Sequence, residues 1–289
     1  MISNVDLSKY SSMKTGGIAE KCCFPTSADE LCKCISALKK NGERYFVLGN
    51  MSNVLIPDEK VDFVPVITTE MKGVEITENE DGSVSVYAEC GVMLTKLAYD
   101  MCKKGYAGMT FAYGIPGTVG GAVFMNAGAY GSEVSAVIEY VDCFDATEGE
   151  RLRLSAEQCD FGYRHSVFEE EGYIVTGASF RLEKGNAEEL VAEARATMQK
   201  RIDKQPLEYP SCGSAFKRPE GYFAGALIEQ SGLKGFSVGG AQVSEKHAGF
   251  VINKGGATTA DVTALMAEVT KIVYEKFGVM LEPEIKVLK

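Results

Sequence analysis

The chain is poor in histidine, contains no tryptophan, and has no apolar run long enough to cross a membrane. Its two histidines, His165 and His247, lie far apart and lack the spacing of metal ligands. We therefore expect no metal site and no membrane partner. Because the N-terminal residues lack the apolar core of a secretory signal, we also expect a cytoplasmic protein.

The cysteines do not have the pattern of a disulfide framework. There are nine, an odd number, and Cys22 and Cys23 are adjacent. Reduced and mostly buried thiols are the interpretation that fits this pattern.

The net charge of −10 argues against a nucleic-acid partner. Small anionic ligands are not excluded, because basic residues cluster locally. The cluster consists of Lys200, Arg201, Lys204, Lys217 and Arg218. We expect small-molecule substrates and a monomeric protein. The length of 289 residues is enough for two or three domains.

The hydrophobic pattern predicts a mixture of helices and strands. Helices are predicted at 26–42, 93–104, 187–204 and 260–277, with Ser27 and Glu30 forming a capping box at the first of them. Strands are predicted at 45–48, 137–143, 173–182 and 280–288, with three more between 63 and 90. Two prolines, Pro206 and Pro210, interrupt the pattern and place a domain boundary near 199–206.

The most informative segment is IPGTVGGAVFMNAGAYG, residues 115–131, which contains five glycines and has only one charge nearby, Glu133. Such a loop lets backbone N–H groups approach a ligand closely, as pyrophosphate-binding loops require. It has neither the Walker sequence nor the spacing of the dinucleotide fingerprint. A glycine-rich turn with a purely structural role is the alternative.

A second candidate phosphate site is the turn GNMSN, residues 49–53, which follows a predicted strand. Its amides and the Ser52 hydroxyl could surround a phosphate. An ordinary turn without a ligand is an equally good interpretation.

Three further positions carry candidate chemistry. Arg164 lies among apolar and aromatic residues in FGYRHSVF, where it either makes a structural ion pair or holds an anion such as a carboxylate. Ser214 in PSCGSAFKRP is a weak candidate nucleophile in a chain with so little histidine, and a proton donor or plain turn residue is favoured. Glu282 and Glu284 in LEPEI lie on one side of the last predicted strand, facing either solvent or a site. Redox chemistry would need a cofactor.

Eight segments together resemble the UDP-N-acetylenolpyruvoylglucosamine reductase family in sequence and order. They are SSMKTGGIAE, VLGNMSNVLI, IPGTVGGAVFMNAGAYG, FGYRHSVF, PSCGSAFKRP, AGALIEQSGLKG, GGAQVSEKHAGFVIN and LEPEI. The resemblance extends from about residue 5 to the C-terminus. The short interval between the fourth and fifth segments is typical of the shorter, type II form of the family.

The resemblance implies an α+β fold in three parts. An FAD-binding module of the vanillyl-alcohol-oxidase type would comprise two α+β subdomains, 1–60 and 61–198. A C-terminal α+β substrate-binding domain would occupy 199–289, with its last strand returning to the active site.

The resemblance also implies the site residues. The FAD contacts would be Gly49, Asn50, Met51, Ser52, Asn53, Ile115, Pro116, Gly117, Thr118, Gly120, Gly121, Ala122, Asn126, Ala127 and Gly128, with backbone amides holding the pyrophosphate. The catalytic residues would be Arg164, Ser214 and Glu284. The substrate contacts would be Tyr163, Arg164, Arg201, Lys204, Gly213, Ser214, Lys217 and His247.

The implied activity is the reduction of UDP-N-acetylglucosamine enolpyruvate to UDP-N-acetylmuramate, a precursor of peptidoglycan. A hydride would pass from the co-substrate NADPH through bound FAD to the β-carbon, and Ser214 would supply a proton to the α-carbon. Arg164 and Glu284 would stabilise the enolate, and Lys217 is hypothesised to lower the pKa of Ser214.

Two residues depart from the family pattern. Met51 stands where glycine is common, so its side chain is expected to crowd the pyrophosphate. Cys212 stands where alanine is common, and sensitivity to thiol reagents is expected. The competing functional hypotheses are another FAD oxidoreductase or oxidase of the same flavin-binding class, and a non-catalytic flavin or nucleotide-sugar binding protein.

Overall fold

The computed structural model describes all of residues 1–289, and the chain divides into two compact units. The first unit contains Met1–Ile2, Lys21–Asn50 and Phe63–Gln199. The second contains Ser3–Glu20, Met51–Asp62 and Lys200–Lys289. These units differ from the domains predicted at 1–60, 61–198 and 199–289, because two N-terminal segments are grouped with the C-terminal part.

The chain forms six α-helices and eighteen strands. The helices are α1 (Ala28–Lys40), α2 (Leu94–Lys103), α3 (Val119–Phe124), α4 (Ala187–Lys204), α5 (Ala224–Gln230) and α6 (Thr259–Phe277). The strands are β1 (Ile2–Asp6), β2 (Ile18–Cys22), β3 (Tyr45–Leu48), β4 (Val54–Leu55), β5 (Val64–Ile67), β6 (Val74–Glu78), β7 (Val84–Glu89), β8 (Tyr106–Ala107), β9 (Gly128–Ala129), β10 (Ser132–Glu133), β11 (Ile138–Asp145), β12 (Glu150–Ser155), β13 (Tyr173–Lys184), β14 (Ser211–Ser214), β15 (Ser237–Val238), β16 (Ala241–Val243), β17 (Phe250–Asn253) and β18 (Lys286–Val287).

The first unit is built on an antiparallel sheet with the order β12-β11-β13-β7-β6, to which β8 adds at the C-terminal end of β13. The same unit also contains a separate parallel pair of strands, β3 and β5. Helix α1 buries one face, formed by Leu31, Cys32, Ile35 and Leu38, in the core of this unit. Burial of each large apolar side chain stabilises the fold by about 1.5–3 kcal/mol.

The second unit contains the antiparallel sheet β14-β17-β16-β15 and helix α6. The segment 51–62 is tied to this unit by backbone and side-chain bonds. Strand β4 pairs in parallel with β18, the Thr259 hydroxyl donates to the Ile56 carbonyl at 2.6 Å, and the Asp58 carboxylate accepts from the amides of Thr259 and Ala260. These bonds connect residues about 200 positions apart, which sequence periodicity does not detect.

The main helices and strands lie within one to three residues of the predicted positions, the usual range of uncertainty at element ends. Two expectations are wrong. The glycine-rich segment contains a short helix, α3, rather than only loop, and the predicted final strand at 280–288 is reduced to Lys286–Val287 with a single bridge at Pro283. None of the helices is both long enough and apolar enough to span a membrane.

Candidate active site

The two predicted phosphate-binding segments meet in the first unit. The turn that follows β3 places Gly49 against Thr118, at the N-terminus of α3. A Cβ atom on Gly49 would lie 2.3 Å from the Thr118 hydroxyl oxygen, so only glycine allows this approach. The Asn50 side-chain amide donates to the carbonyl of Pro116 at 2.7 Å. The structure therefore joins the turn to the glycine-rich loop at two adjacent residues.

Not every predicted amide of the loop is available to a ligand. The amides of Ile115, Gly120 and Ala122 donate to the carbonyls of Ala112, Cys90 and Thr118 at 2.8 to 3.0 Å. Pro116 has no N–H. Among the predicted residues of this loop, the backbone N–H groups that remain able to bind a ligand are those of Gly117, Thr118 and Gly121. The Gly121 amide makes only a long bond, 3.4 Å, to the Thr118 hydroxyl.

These residues fit a pyrophosphate group. A Cβ atom on Gly121 would meet nothing closer than the Thr118 hydroxyl at 3.7 Å, so the surface there is open. No acidic side chain occurs between 115 and 122 that would repel an anion. Amides and a hydroxyl beside a bare glycine surface are groups suited to bind phosphate oxygens.

We expect Gly49→Ala to weaken FAD binding at least about tenfold, equivalent to about 1.4 kcal/mol. The new methyl group overlaps the Thr118 hydroxyl and forces the turn away from the loop. Titration of the flavin-free protein with FAD, followed by fluorescence, measures this. Gly185→Ala is the matched control, because its Cβ would make an ordinary contact of 3.4 Å with Leu190. Equal FAD affinity in Gly49→Ala and the unmodified chain would contradict the prediction.

Asn126 has a structural role in the first unit. It is fully buried and has a positive φ of 40°. Its Nδ2 donates to Glu133 Oε1 at 2.9 Å and to the Gly162 carbonyl at 3.0 Å, while its Oδ1 accepts from the Ser135 amide at 3.0 Å. Both Nδ2 hydrogens are thus used within the protein. These bonds give the Asn126 side chain a role in fixing the residues around Gly162, and contact between Asn126 and the cofactor stays a prediction.

The predicted Tyr163–Arg164 pair occupies the tip of a tight turn. Reciprocal backbone bonds of 3.1 and 3.2 Å between Gly162 and His165 close it. Arg164 has a φ of 57°, a left-handed conformation that costs a non-glycine residue about 1–2 kcal/mol. One Arg164 terminal nitrogen lies 3.4 Å from the carbonyl of Gly128, another predicted cofactor residue. Backbone strain of this kind is concentrated at functional sites.

Ser214 owes its exposure to a β-bulge in the second unit. Strand β14 pairs with β17 at Ser211 and Ser214. These two residues are three positions apart on β14, whereas their partners on β17 are only two positions apart, so β14 has one extra residue. Gly213 within the bulge has a φ of +74° with open space around it. A β-bulge changes the direction in which the neighbouring side chain points relative to the sheet. Ser214 is accordingly exposed, whereas its neighbours Cys212 and Ala215 are buried.

Backbone bonds bring Ser214, Glu284 and His247 close together in the second unit. Ala215, which follows Ser214, accepts from the Glu284 amide at 2.9 Å and donates to the Gly249 carbonyl at 2.8 Å. The Gly249 amide donates to His247 Nδ1 at 3.1 Å. Nδ1 therefore acts as an acceptor, which assigns the proton of the neutral ring to Nε2. The half-buried Glu284 thus lies next to the strand that carries Ser214.

Lys217 is engaged by Glu282 rather than by the candidate serine. Its Nζ lies 2.5 Å from the Glu282 carboxylate, and its amide donates to the Glu282 carbonyl at 2.8 Å. When a lysine is paired with a carboxylate, the two charges largely cancel, and the lysine lowers the pKa of a nearby hydroxyl less than a lone lysine would. An effect of Lys217 on the pKa of Ser214 stays a prediction, and it has to act in the presence of the Glu282 carboxylate.

Two of the predicted cationic residues lie in the last turn of helix α4. Arg201, near the C-terminus of α4, is 7% exposed, and Lys204 ends the same helix. Burial lowers the pKa of His247, and the positive charges of Lys234 and Lys204 lower it further. His247 is therefore neutral at pH 7.

The lowered pKa of His247 predicts a pH-dependent stability. Its folded pKa lies below the ordinary value of 6.5, so the unfolded chain binds the proton more tightly. This contribution to stability is complete above pH of about 6.5 and is lost as the pH falls towards the folded pKa. We expect the Tm difference between the unmodified chain and His247→Gln to shrink between pH 7.5 and pH 5. A difference that stays constant, or grows on acidification, would refute this linkage.

Two expectations about departures from the family pattern are wrong. Cys212 is 2% exposed, its Sγ approaches the Val54 carbonyl at 3.5 Å, and burial raises the pKa of its thiol to about 12. We therefore expect this thiol to react little with thiol reagents. Met51 has a φ of 48° and is 3% exposed, so its side chain is buried rather than projecting towards a ligand. Burial, about 1.5–3 kcal/mol, offsets the left-handed backbone cost.

Comparison with known proteins decides the family. Residues 205–288 match the model of the C-terminal domain of UDP-N-acetylenolpyruvoylglucosamine reductase, and residues 19–155 match an FAD binding domain. The UDP-N-acetylenolpyruvoylglucosamine reductase of Caldicellulosiruptor saccharolyticus is 45% identical over 97% of this chain and 89% of its own. That of Lactobacillus acidophilus is 42% identical over 98% of this chain and 93% of its own.

The chain belongs to the UDP-N-acetylenolpyruvoylglucosamine reductase family. A solved structure named as the reductase of Thermus caldophilus is 32% identical and superposes with a TM-score of 0.84 over 100% of this chain and 99% of that one. Membership of this family confirms the resemblance read from the eight segments. The FAD binding domain match and the shared reductase fold also confirm the predicted α+β class with a flavin-binding module.

Sequence reasoning missed the partners that hold the site residues. Thr118 was predicted as a cofactor residue, but its packing against Gly49 was not. The bonds of Asn53 to the backbone around Glu284 were also missed. Each joins segments distant in the chain, so no local motif could have indicated them.

Proposed function

We propose that this chain reduces UDP-N-acetylglucosamine enolpyruvate to UDP-N-acetylmuramate, with bound FAD and with NADPH as co-substrate, in the synthesis of peptidoglycan precursors. Family membership supports the reaction and the cofactors. The observation that carries the site assignment is the β-bulge that exposes Ser214 beside the backbone of Glu284.

The flavin pyrophosphate is held by the turn that contains Gly49 and Asn50 and by the start of α3. Gly49 supplies a surface without a side chain, and the side chain of Asn50 fixes the loop by its bond to the Pro116 carbonyl. The amides of Gly117 and Gly121 and the hydroxyl of Thr118 donate hydrogen bonds to phosphate oxygens. FAD, when bound, supplies the hydride that NADPH delivers and that the β-carbon of the substrate receives.

Ser214 donates a proton to the α-carbon of the substrate. The bulge directs its side chain outward, and neither of the two histidines is bonded to it as a base, so a nucleophilic role is not supported. A positioned proton donor contributes about 10²–10⁴-fold to a rate.

Arg164 and Glu284 stabilise the negative charge that develops on the substrate carboxylate. A guanidinium matches a carboxylate with two parallel hydrogen bonds. The left-handed turn fixes the backbone of Arg164 before substrate binds, and the guanidinium reaches the Gly128 carbonyl at 3.4 Å.

The remaining predicted contacts bind the nucleotide sugar. Arg201 and Lys204 provide positive charge for the diphosphate, and neutral His247 offers its Nε2–H as a donor. Tyr163, Gly213 and Lys217 complete the predicted set. We further propose that the chain acts as a monomer in the cytoplasm, where its nine thiols, eight of them buried, stay reduced.

Product analysis tests the proposed function. The FAD-loaded chain is incubated with NADPH and the enolpyruvyl substrate, and the nucleotide product is weighed by mass spectrometry. We expect a product heavier than the substrate by two hydrogen atoms, formed in equal amount to the NADPH consumed. NADPH consumption with unchanged substrate and formation of hydrogen peroxide would indicate an oxidase. Tight FAD binding without NADPH consumption would indicate a binding protein.

A further inference from the structure

Asn53 ends the turn that follows β3 and stands directly before β4. Its side-chain Nδ2 donates to the backbone carbonyl of Glu284 at 3.1 Å. Its own backbone carbonyl accepts from the amide of Lys286 at 3.0 Å. Asn53 therefore holds the chain on both sides of Ile285, within the second unit.

The backbone of Glu284 is held from its other side by the strand of Ser214. The Glu284 amide donates to the carbonyl of Ala215 at 2.9 Å. The amide and the carbonyl of Glu284 thus both have partners, one next to Ser214 and the other on Asn53. Since these two bonds fix the peptide planes flanking the Cα atom, they also fix the direction in which the side chain leaves it.

We propose that Asn53 is a positioning residue that aims the Glu284 carboxyl group for substrate reduction. The proposal rests on the proposed function of Glu284. It differs from the cofactor contact expected at this position, because the side chain of Asn53 reaches the backbone of a catalytic residue. A misplacement of about 1 Å at a reacting group can cost about a hundredfold in rate.

The chemistry of the contact requires an amide at position 53. Alanine removes the donor, and aspartate replaces it with an oxygen that repels the Glu284 carbonyl. Both changes free the Glu284 carbonyl while leaving the β4–β18 backbone pairing available.

The test compares Asn53→Ala, Asn53→Asp, Glu284→Gln and the double variant Asn53→Ala/Glu284→Gln by stopped flow, at saturating FAD. Flavin reduction by NADPH and flavin reoxidation by the enolpyruvyl substrate are measured separately. We expect Asn53→Ala to slow reoxidation about ten- to a hundredfold and to change reduction by less than about twofold. The double variant should be as slow as Glu284→Gln alone, within about twofold, because both changes impair the same function, that of the Glu284 carboxyl group.

Asn253→Ala is the matched control, since its amide also donates to a backbone carbonyl, that of Met13, at 3.0 Å within the same unit. It should lower the Tm without changing the ratio of the two rates. Circular dichroism and bound FAD per chain establish that each variant is folded and loaded. Multiplicative slowing in the double variant, or equal slowing of both steps by Asn53→Ala, would overturn the positioning role. Failure of the unmodified chain to reoxidise with substrate would instead overturn the proposed function.

Discussion

Ser214→Ala should abolish most product formation while flavin reduction by NADPH continues at its normal rate. We expect substrate reduction to fall by about two or more orders of magnitude, the loss expected for a general acid. The hydroxyl is small and exposed, so its removal creates no cavity and costs little stability. Anaerobic stopped flow measures both steps in one sample.

Ser211→Ala controls for the bulge itself, because Ser211 begins the same strand and pairs with Ile252 at the other end of the irregularity. It should leave both steps unchanged. Turnover of Ser214→Ala within a few-fold of the unmodified chain would remove this serine from the mechanism. Slowing of flavin reduction to the same extent would show that the change disturbs the whole site.

Arg164→Ala should slow substrate reduction about 10²–10³-fold, the effect of removing one donor that stabilises developing charge. Arg164→Lys keeps the charge but loses the forked geometry, so it should recover only part of the rate. Steady-state kcat and KM for the enolpyruvyl substrate measure both variants. An Arg164→Ala variant with unchanged kcat/KM would contradict the proposed carboxylate contact.

The left-handed backbone of Arg164 allows the effect of its charged side chain on activity to be separated from the effect of its backbone conformation on stability. Arg164→Gly relieves a left-handed conformation worth about 1–2 kcal/mol, so it should raise the Tm although it lowers the activity. Asp160→Gly is the matched control, because Asp160 also has a positive φ, 44°, in the same segment. It should raise the Tm with little change in activity. A Tm decrease in both variants would show that side-chain contacts outweigh the strain.

Sequence patterns predicted the elements whose stability is local. Helix α6 is an example, since its apolar spacing and terminal glycine, Gly278, fix its course and its end. Helix α3 was missed because glycine disfavours helix formation. A Cβ atom on Gly120 would lie 2.9 Å from Cys90, which directly follows β7, so the close packing at this position requires glycine. Tertiary contact overrode local propensity at this point.

The candidate site was predictable in composition but not in geometry. The segments around Gly49, Arg164 and Ser214 were found from residue type and from the family resemblance. The bulge at Gly213 and the pairing of Lys217 with Glu282 depend on strand register, which a single sequence does not reveal. Met51 was misjudged for the same reason, because whether a side chain is buried or points to a ligand depends on distant segments.

The proposed reaction is tested most directly by NADPH oxidation by the purified, FAD-loaded chain, with and without UDP-N-acetylglucosamine enolpyruvate, in air and without oxygen. We expect oxidation that depends on this substrate and is the same in both atmospheres. Oxidation that needs oxygen and ignores the substrate would contradict it.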